Sequence, residues 1–354
     1  MDELYSKYGV VCVQVATPNA YSKADADKNL QHAFAMVRKA VKQNIFTGEP
    51  VKLAALPECV IHGFPYSTNK EYLDSGVYVH IPGPETEAFI ALAKELDIII
   101  VTGSMFEHDP KYPAQIFNTC CIVSPDGLLL KYRKVNPWVP DEGSTSPLQL
   151  KQYAEPLFPV VDTPLGKLGV VICYDLIFPE TVRQLVYNGA EILIRVSAYM
   201  EPWVNNAPMD WWKATSQARS IENIVYGVHV NQGANLNQMP PFDFTGGSCL
   251  VDYEGRIMSE IKLGGDRIVY GHFDLDALRE WRARTYEHLG IAHLRTEAYT
   301  YLDKPIYPCK TNGPDELITM DQTIYFSDVA RRVMGYENYD RLQNLSSVPL
   351  KMFR

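Results

Sequence analysis

Apolar positions along the chain alternate between two rhythms, one of strands and one of helices. Val10 to Val15 is a largely β-branched run that reads as a buried strand. Ser22-Lys-Ala-Asp25 then supplies a capping signal, and Leu30, Ala33, Phe34, Val37 and Val41 follow as one stripe of an amphipathic helix. Leu53-Ala-Ala-Leu56 is a second strand, stopped by Pro57. A second helix carries Phe89, Leu92, Ala93 and Leu96 and feeds the strand Ile98–Val101. Ser124-Pro-Asp-Gly127 predicts a hairpin, with Asp-Gly in the tight turn.

The second half repeats this order. Gly166-Lys167 turns into the strand Leu168–Cys173, and Pro179 opens a helix that Gly189 closes. Ile192–Val196 is a strand, Met209–Ile221 a helix, Ile224–Val230 a strand, Tyr253-Glu-Gly255 a hairpin turn and Ile268–Phe273 a last strand. Strands alternating with helices in two similar halves predict an α/β fold, with two sheets face to face and helices outside. The likeness between the halves is one of element order, with no repeat of residues. From about Asp274 the pattern weakens to a short helix at Leu278–Arg284 and a stretch rich in Tyr, Asp, Asn and Pro. That divides the chain into a main domain, 1–275, and a C-terminal extension, 276–354. The extension is expected to pack on the main domain or a neighbouring subunit, and loss of oligomerisation on truncation near residue 280 tests this.

Composition narrows the partners. Thirty-three basic against 42 acidic residues give a formal charge of -9, which disfavours a sequence-independent grip on nucleic acid. Apolar runs are strand-sized, so no membrane span is expected, and the N-terminus shows no signal-peptide pattern. Seven cysteines without framework spacing suit a reducing compartment, so a cytoplasmic location is expected. Cys59 with His62 and the Cys120-Cys121 pair come nearest to metal ligands, but neither has a partner pair at zinc-site spacing, and no nucleotide-binding glycine loop is present, so neither a metal nor a cofactor is expected.

Three strand ends carry reactive groups: Glu58 after Leu53–Pro57, Lys134 after the first hairpin, and Cys173 after Gly169–Ile172. Each alone has a plain reading: a solvated turn carboxylate, a surface lysine, a small core thiol. Together they are chemically coherent. A carboxylate can take a thiol's proton, and a fixed cation can hold both the thiolate and an oxyanion.

The segments Leu56-Pro-Glu58 with Gly63-Phe-Pro65, Lys131-Tyr-Arg-Lys134 and Cys173-Tyr-Asp-Leu-Ile-Phe-Pro-Glu180 resemble the signature motifs of the nitrilase superfamily of carbon–nitrogen hydrolases. Asn188-Gly-Ala-Glu191, Ala218–Asn223 and Gly246-Gly-Ser248 match as well, in order, over about residues 8 to 275. The resemblance implies a four-layer α-β-β-α sandwich and a catalytic Glu58, Lys134 and Cys173.

Lys134-Val-Asn-Pro-Trp-Val-Pro-Asp-Glu142 is similar to the aliphatic amidase and formamidase branch, which implies Glu142 as a fourth catalytic residue. Ile194–Met200 and the long extension are similar to this branch as well. Tyr174 departs from it, since Cys-Tyr-Asp is more familiar from carbamoyl hydrolases and general amidases.

The implied reaction is hydrolysis of a small carboxamide to carboxylate and ammonia through a thioester on Cys173, with Lys134 and the Tyr174 backbone N–H holding the oxyanion. Nitrilase and N-carbamoyl amine hydrolase activities stay open as alternatives on the same residues. Trp138, Tyr199 and Tyr66, beside the motifs, are the candidate pocket walls; for Trp138, packing in the core is an equal alternative. Asp175, Glu180, Arg219 and Glu222 are expected to make structural contacts, and Cys59 to be packing. The resemblance also implies a homo-oligomer.

Overall fold

The computed structural model describes residues 5–138, 142–202, 211–233, 242–262, 264–285, 287–303 and 306–334. The predicted helix start at Met209 and the extension beyond residue 334 lie outside the described residues.

Fourteen strands are described. They are β1 (Lys7–Gln14), β2 (Val51–Ala55), β3 (Ile99–Glu107), β4 (Phe117–Ser124), β5 (Gly127–Arg133), β6 (Val160–Thr163) and β7 (Gly166–Ile172). There follow β8 (Ile192–Ser197), β9 (Met200–Pro202), β10 (Tyr226–Asn231), β11 (Phe242–Phe244), β12 (Cys249–Val251), β13 (Ile257–Glu260) and β14 (Arg267–Asp274). One six-stranded sheet has the order β14-β1-β2-β3-β4-β5 and the other β13-β12-β10-β8-β7-β6, while β9 and β11 pair alone.

Period-two alternation explains how the sheets stack. On β1, Val10 and Cys12 face the second sheet, joining Leu53, Ile99 and Ile122 against Val170, Ile172, Ile194 and Val228 in one apolar core. The intervening Val11 and Val13 face outward, beneath α1 (Lys23–Lys42) and, past a short α2 (Asn69–Ser75), α3 (Pro84–Leu96). The helices meet through the Phe34 and Phe89 rings, 4.9 Å apart. On the far side, Val171 and Leu193 face Val182 and Leu185 of α4 (Pro179–Tyr187), and α5 (Trp211–Asn223) lies beside it. The result is the predicted α-β-β-α sandwich.

Local signals act as read. Ser22 caps α1 by accepting from the Asp25 N–H at 3.2 Å, and Gly189, just past α4, takes φ +103°. The first hairpin differs. Ser124 pairs directly with Gly127, so Pro125 and Asp126 are the central residues and Gly127, at φ +143°, already belongs to β5. Proline's fixed φ suits the first central position, which displaces Asp-Gly from the centre.

Beyond β14, α6 (Leu275–Arg284) buries Leu275 and Leu278 in the inter-sheet core. Arg279 grips Glu191 with two hydrogen bonds of 2.7 and 2.9 Å. The chain then returns over the sandwich. Asn312 and Leu150 form a β-bridge, Gln115 donates to the Glu316 carbonyl at 2.8 Å, and Tyr301 donates to Glu180 at 2.6 Å. No helix among the described residues is long and apolar enough to cross a membrane.

Candidate active site

Glu58 leaves the first sheet where β2 ends. Pro57 breaks the strand, and a turn held by the Cys59 carbonyl, which accepts from the N–H groups of His62 and Gly63, swings the carboxylate inward. Cys59 itself packs with Tyr72, Phe106 and Ile116. The strand does not continue through it, so its burial comes from the turn rather than from alternation. Gly103 makes this turn possible: at φ +73°, a Cβ there would lie 2.1 Å from the Pro57 carbonyl oxygen. Gly103→Ala is therefore expected to cost about 2 kcal/mol or more and to disturb Glu58. Denaturant melts of the variant, compared with Gly76→Ala, whose Cβ meets open space at similar φ, would separate crowding from backbone strain.

Lys134 follows β5. On that strand Arg133 turns away and is held by Glu107 (2.8 and 2.7 Å), Asp109 (2.6 Å) and the Phe117 ring face (4.1 Å). Alternation sends Lys134 the other way, into the site. Its ammonium stands 2.8 Å from Glu58 Oε1 and 2.5 Å from Glu142 Oε2, with all three side chains buried. Asn118, on β4, donates through one amide nitrogen to both acids, at 2.8 Å to Glu58 and 3.0 Å to Glu142. Glu58 Oε2 also accepts from the Ala198 N–H at 2.8 Å.

Glu142 accepts further from Ser144 Oγ (2.7 Å) and the Trp138 N–H (2.8 Å). Burial pushes its carboxyl up, but the Lys134 charge and these donors outweigh it and hold the group below the usual carboxylate range. Burial likewise pulls Lys134 down, and Glu142 and Glu58 more than reverse it.

Cys173 is half-buried one residue past β7, at φ +49°, where it opens a 3₁₀ turn, Cys173–Ile177. A non-glycine residue in this conformation carries strain. Asp175 holds the turn in place: it accepts from Ile172 N–H (3.0 Å), Tyr132 Oη (2.7 Å) and both the backbone and side-chain nitrogens of Asn136 (2.9 and 3.0 Å). It thus ties the cysteine turn to the segment just after Lys134. Burial first, then the Glu58 charge, push the Cys173 thiol up to about 12, while Lys134 and Arg195 pull it back. The charges of Glu58, Lys134 and Arg195 thus all act on the sulfur.

The remaining predicted residues are placed unevenly. Tyr174 is the second residue of the 3₁₀ turn, whose leading N–H groups have no partner within the turn. The Trp138 ring is 38% exposed, so it is not core packing. Tyr199 is buried, with its ring stacked on Trp212 at 5.8 Å and its N–H held by Asn231. Tyr66 joins an aromatic cluster with Tyr72 and Tyr21, at 5.2 and 6.1 Å, and makes no hydrogen bond to Glu58, Lys134 or Glu142. Arg219 pairs with Glu222 at 2.9 Å and donates to the Leu176 and Ile177 carbonyls, bracing the cysteine turn from α5. Among the described residues no group of His, Cys, Asp and Glu could hold a metal ion.

Sequence reading missed Asn118, Asp175's bridging role and Arg195. A charged residue inside the apolar run Ile192–Val196 was the available signal for Arg195. Nothing local marks Asn118.

Two buried histidines give the fold an acid sensitivity. Burial pulls His62 down to about 3, and burial with the neighbouring Arg195 does the same to His229. The unfolded chain protonates these rings near 6.5 and the folded chain does not, so acidification below 6.5 removes at most about 1.4 kcal/mol per pH unit per ring. Asp175 acts oppositely, because burial raises it to about 6 and acidification from 6 towards 4 then favours the fold. The net expectation is a thermal midpoint that falls from pH 7 to 5, with a shallower slope in His229→Gln; an equal slope would contradict it.

Comparison with known proteins places the chain in a family. Residues 10–283 match the carbon-nitrogen hydrolase family. A formamidase of Bacillus cereus (strain B4264) is 33% identical over 222 residues, which are 62% of this chain and 60% of the relative. A formamidase of Bacillus anthracis is 32% identical over the same shares. The match thus spans about 60% of the length of these relatives.

Among solved structures, Saccharomyces cerevisiae Nit3, of branch 10 of the nitrilase superfamily, superposes with TM-score 0.66 and 28% identity over 80% of this chain and 97% of its own. The C. elegans NitFhit protein gives 0.66 and 25% over 84% and 67%. With the family match spanning residues 10–283, more than three quarters of the sequence, and the fold shared with these structures, the chain belongs to the carbon-nitrogen hydrolase family of the nitrilase superfamily.

Proposed function

We propose that the protein is a thiol amidohydrolase that cleaves a small carboxamide to its carboxylate and ammonia. The observation that carries this reading is the buried Lys134 ammonium, bonded at once to Glu58 and Glu142 beside the half-buried Cys173. The Bacillus formamidases favour a short acyl group.

In this reading Glu58 takes the Cys173 proton as the sulfur attacks the amide carbon. The carbonyl π pair moves to oxygen, giving a tetrahedral oxyanion. An ammonium has three N–H donors, and two are committed to the carboxylates, so the third is left for the oxyanion. The Tyr174 N–H is the second donor. Collapse expels the amine, which leaves as ammonia with the proton held by Glu58, and an acyl thioester remains. Water, deprotonated by Glu58, attacks it; the thiolate is expelled and takes that proton back from Glu58, and the acid leaves, giving up its remaining proton to solvent or ammonia as it becomes the carboxylate. Glu142, fixed by four donors, orients the substrate nitrogen and then the water.

The test is ammonia release from short amides, nitriles and N-carbamoyl amines, with acid-quenched mass spectrometry of the Cys173 peptide during turnover. Release from amides with an acyl adduct on that peptide is expected. Turnover confined to nitriles or N-carbamoyl amines, or turnover with no adduct at Cys173, would sink the assignment. Trp138 sets an expected limit on acyl length: Trp138→Gly should raise kcat/KM on butyramide relative to formamide by at least about tenfold. An unchanged ratio would remove Trp138 from the pocket.

A further inference from the structure

The Glu58–Lys134–Glu142 cluster is a poor setting for a thiolate. Two carboxylates share one ammonium at 2.8 and 2.5 Å, so the cluster carries a net single negative charge beside the sulfur. Whether the proton is on sulfur or on Glu58, cluster and sulfur together therefore carry one negative charge that Lys134 alone does not offset. A further cation would offset it, and the fold holds one that pairs with no carboxylate among the described residues.

Arg195 sits in the middle of β8, 1% exposed. Leu193, two residues earlier, faces α4 in the outer core, so Arg195 lies on the helix side of the sheet. Its guanidinium lies 4.0 Å from the Trp212 ring face, and its Nε and Nη1 have no hydrogen-bond partner. Among the described residues no Asp or Glu forms an ion pair with it.

Its strand neighbours fix its direction. On β10 the register partner is His229, whose two ring nitrogens are also unpartnered, and on β7 it is Val171, two residues before Cys173. The titratable groups whose charges act on it are Cys173, which follows the β7 residues paired with Arg195 and Val196, together with Cys249 on β12, Tyr199, Glu58 and the neutral His229. An uncompensated buried charge is costly, and a fold keeps one only where something anionic meets it. Arginine suits the place because it stays protonated where a lysine would more readily discharge, and because its plane stacks on an indole.

We infer that Arg195 is a positioning residue for the nucleophile, a buried cation with no carboxylate partner among the described residues, whose field falls on the Cys173 sulfur and offsets the net negative charge of the Glu58–Lys134–Glu142 cluster. The inference rests on Cys173 being the nucleophile. Arg195 acts through the sulfur, while Lys134 bonds the acids and the oxyanion. Deprotonation of Cys173 in its field transfers the proton to Glu58, which lowers the cluster's negative charge as the thiolate forms.

The experiment is the pH profile of Cys173 alkylation by iodoacetamide, read on the Cys173 peptide by mass spectrometry so that the other six cysteines do not enter. Arg195→Met is expected to move the midpoint up by at least one pH unit, which at a fixed pH below it is a tenfold loss of rate, while Arg195→Lys stays within threefold of wild type. His229→Glu keeps Arg195 but seats a carboxylate at its register partner, one strand further from Cys173. It is expected to move the midpoint the same way, with His229→Gln near wild type, and it decides the matter should Arg195→Met not fold. An unmoved midpoint in either folded variant overturns the inference. Because alkylation needs no amide turnover, the two readings fail separately. A shifted midpoint in a protein that hydrolyses no amide keeps this inference and removes the hydrolase, and normal turnover with an unmoved midpoint does the reverse.

Discussion

Cys173→Ala is expected to leave a folded protein that releases no ammonia from any amide, with kcat reduced by about 10⁴-fold or more, to background. The fold should tolerate the change. Cys173 is half-buried at the rim of the inter-sheet core and its side chain has one heavy atom beyond Cβ, so the stability change should stay near 1 kcal/mol. Alanine also removes a thiol that would have to ionise beside two acids, and so relieves the site electrostatically. Binding should survive, since Lys134, Glu142 and the Tyr174 N–H remain. Equilibrium dialysis of a short amide with the variant should therefore give an affinity within a few-fold of the substrate KM. A variant that still turned over at one-hundredth of the wild-type rate would show that the sulfur is not the nucleophile.

How far this site could be read from sequence depends on where each residue stands. Glu58, Lys134 and Cys173 all stand shortly past the end of a strand, and strand ends are visible locally because the strand pattern stops there. Asn118 carries no such mark. It lies within β4, 60 residues from Glu58 and 24 from Glu142, and matters only because β3, β4 and β5 pair side by side. Arg195 is visible as a charge in a buried strand, yet its meaning depends on its pairing with no carboxylate among the described residues, which is a property of the packing. β3 runs to Glu107, well past the predicted Val101. Thr102, Gly103 and Ser104 break the apolar pattern because Gly103 and Ser104 face the Glu58 turn, where Ser104 Oγ accepts from the Cys59 N–H at 2.9 Å. The short α2 was missed for a related reason. It is fixed by its Thr68 cap and buries only Asn69 and Tyr72, so it has no apolar stripe to detect.

Lys134→Met should be the most disruptive single change to the site, because it harms the chemistry and the fold through the same atoms. Methionine fills much of the lysine volume, so cavity formation is a minor part of the loss. What remains is two buried carboxylates bridged by one Asn118 amide, with their shared cation gone. Breaking a buried ion pair by removing one partner costs about 3–5 kcal/mol, and loss of an oxyanion donor costs about 10²–10³ in kcat.

The pH dependence has a definite sign. Without Lys134 the two acids repel, and the folded chain holds a proton on one of them above the unfolded carboxylate value near 4.3. The variant should therefore gain stability, relative to wild type, as pH falls from 7 towards 5. Lys134→Met/Glu142→Gln removes the repulsion at neutral pH, so it should recover most of the lost thermal stability and none of the turnover. Recovery of both by the double variant would mean that Lys134 serves only to neutralise Glu142, and the oxyanion would then need another donor.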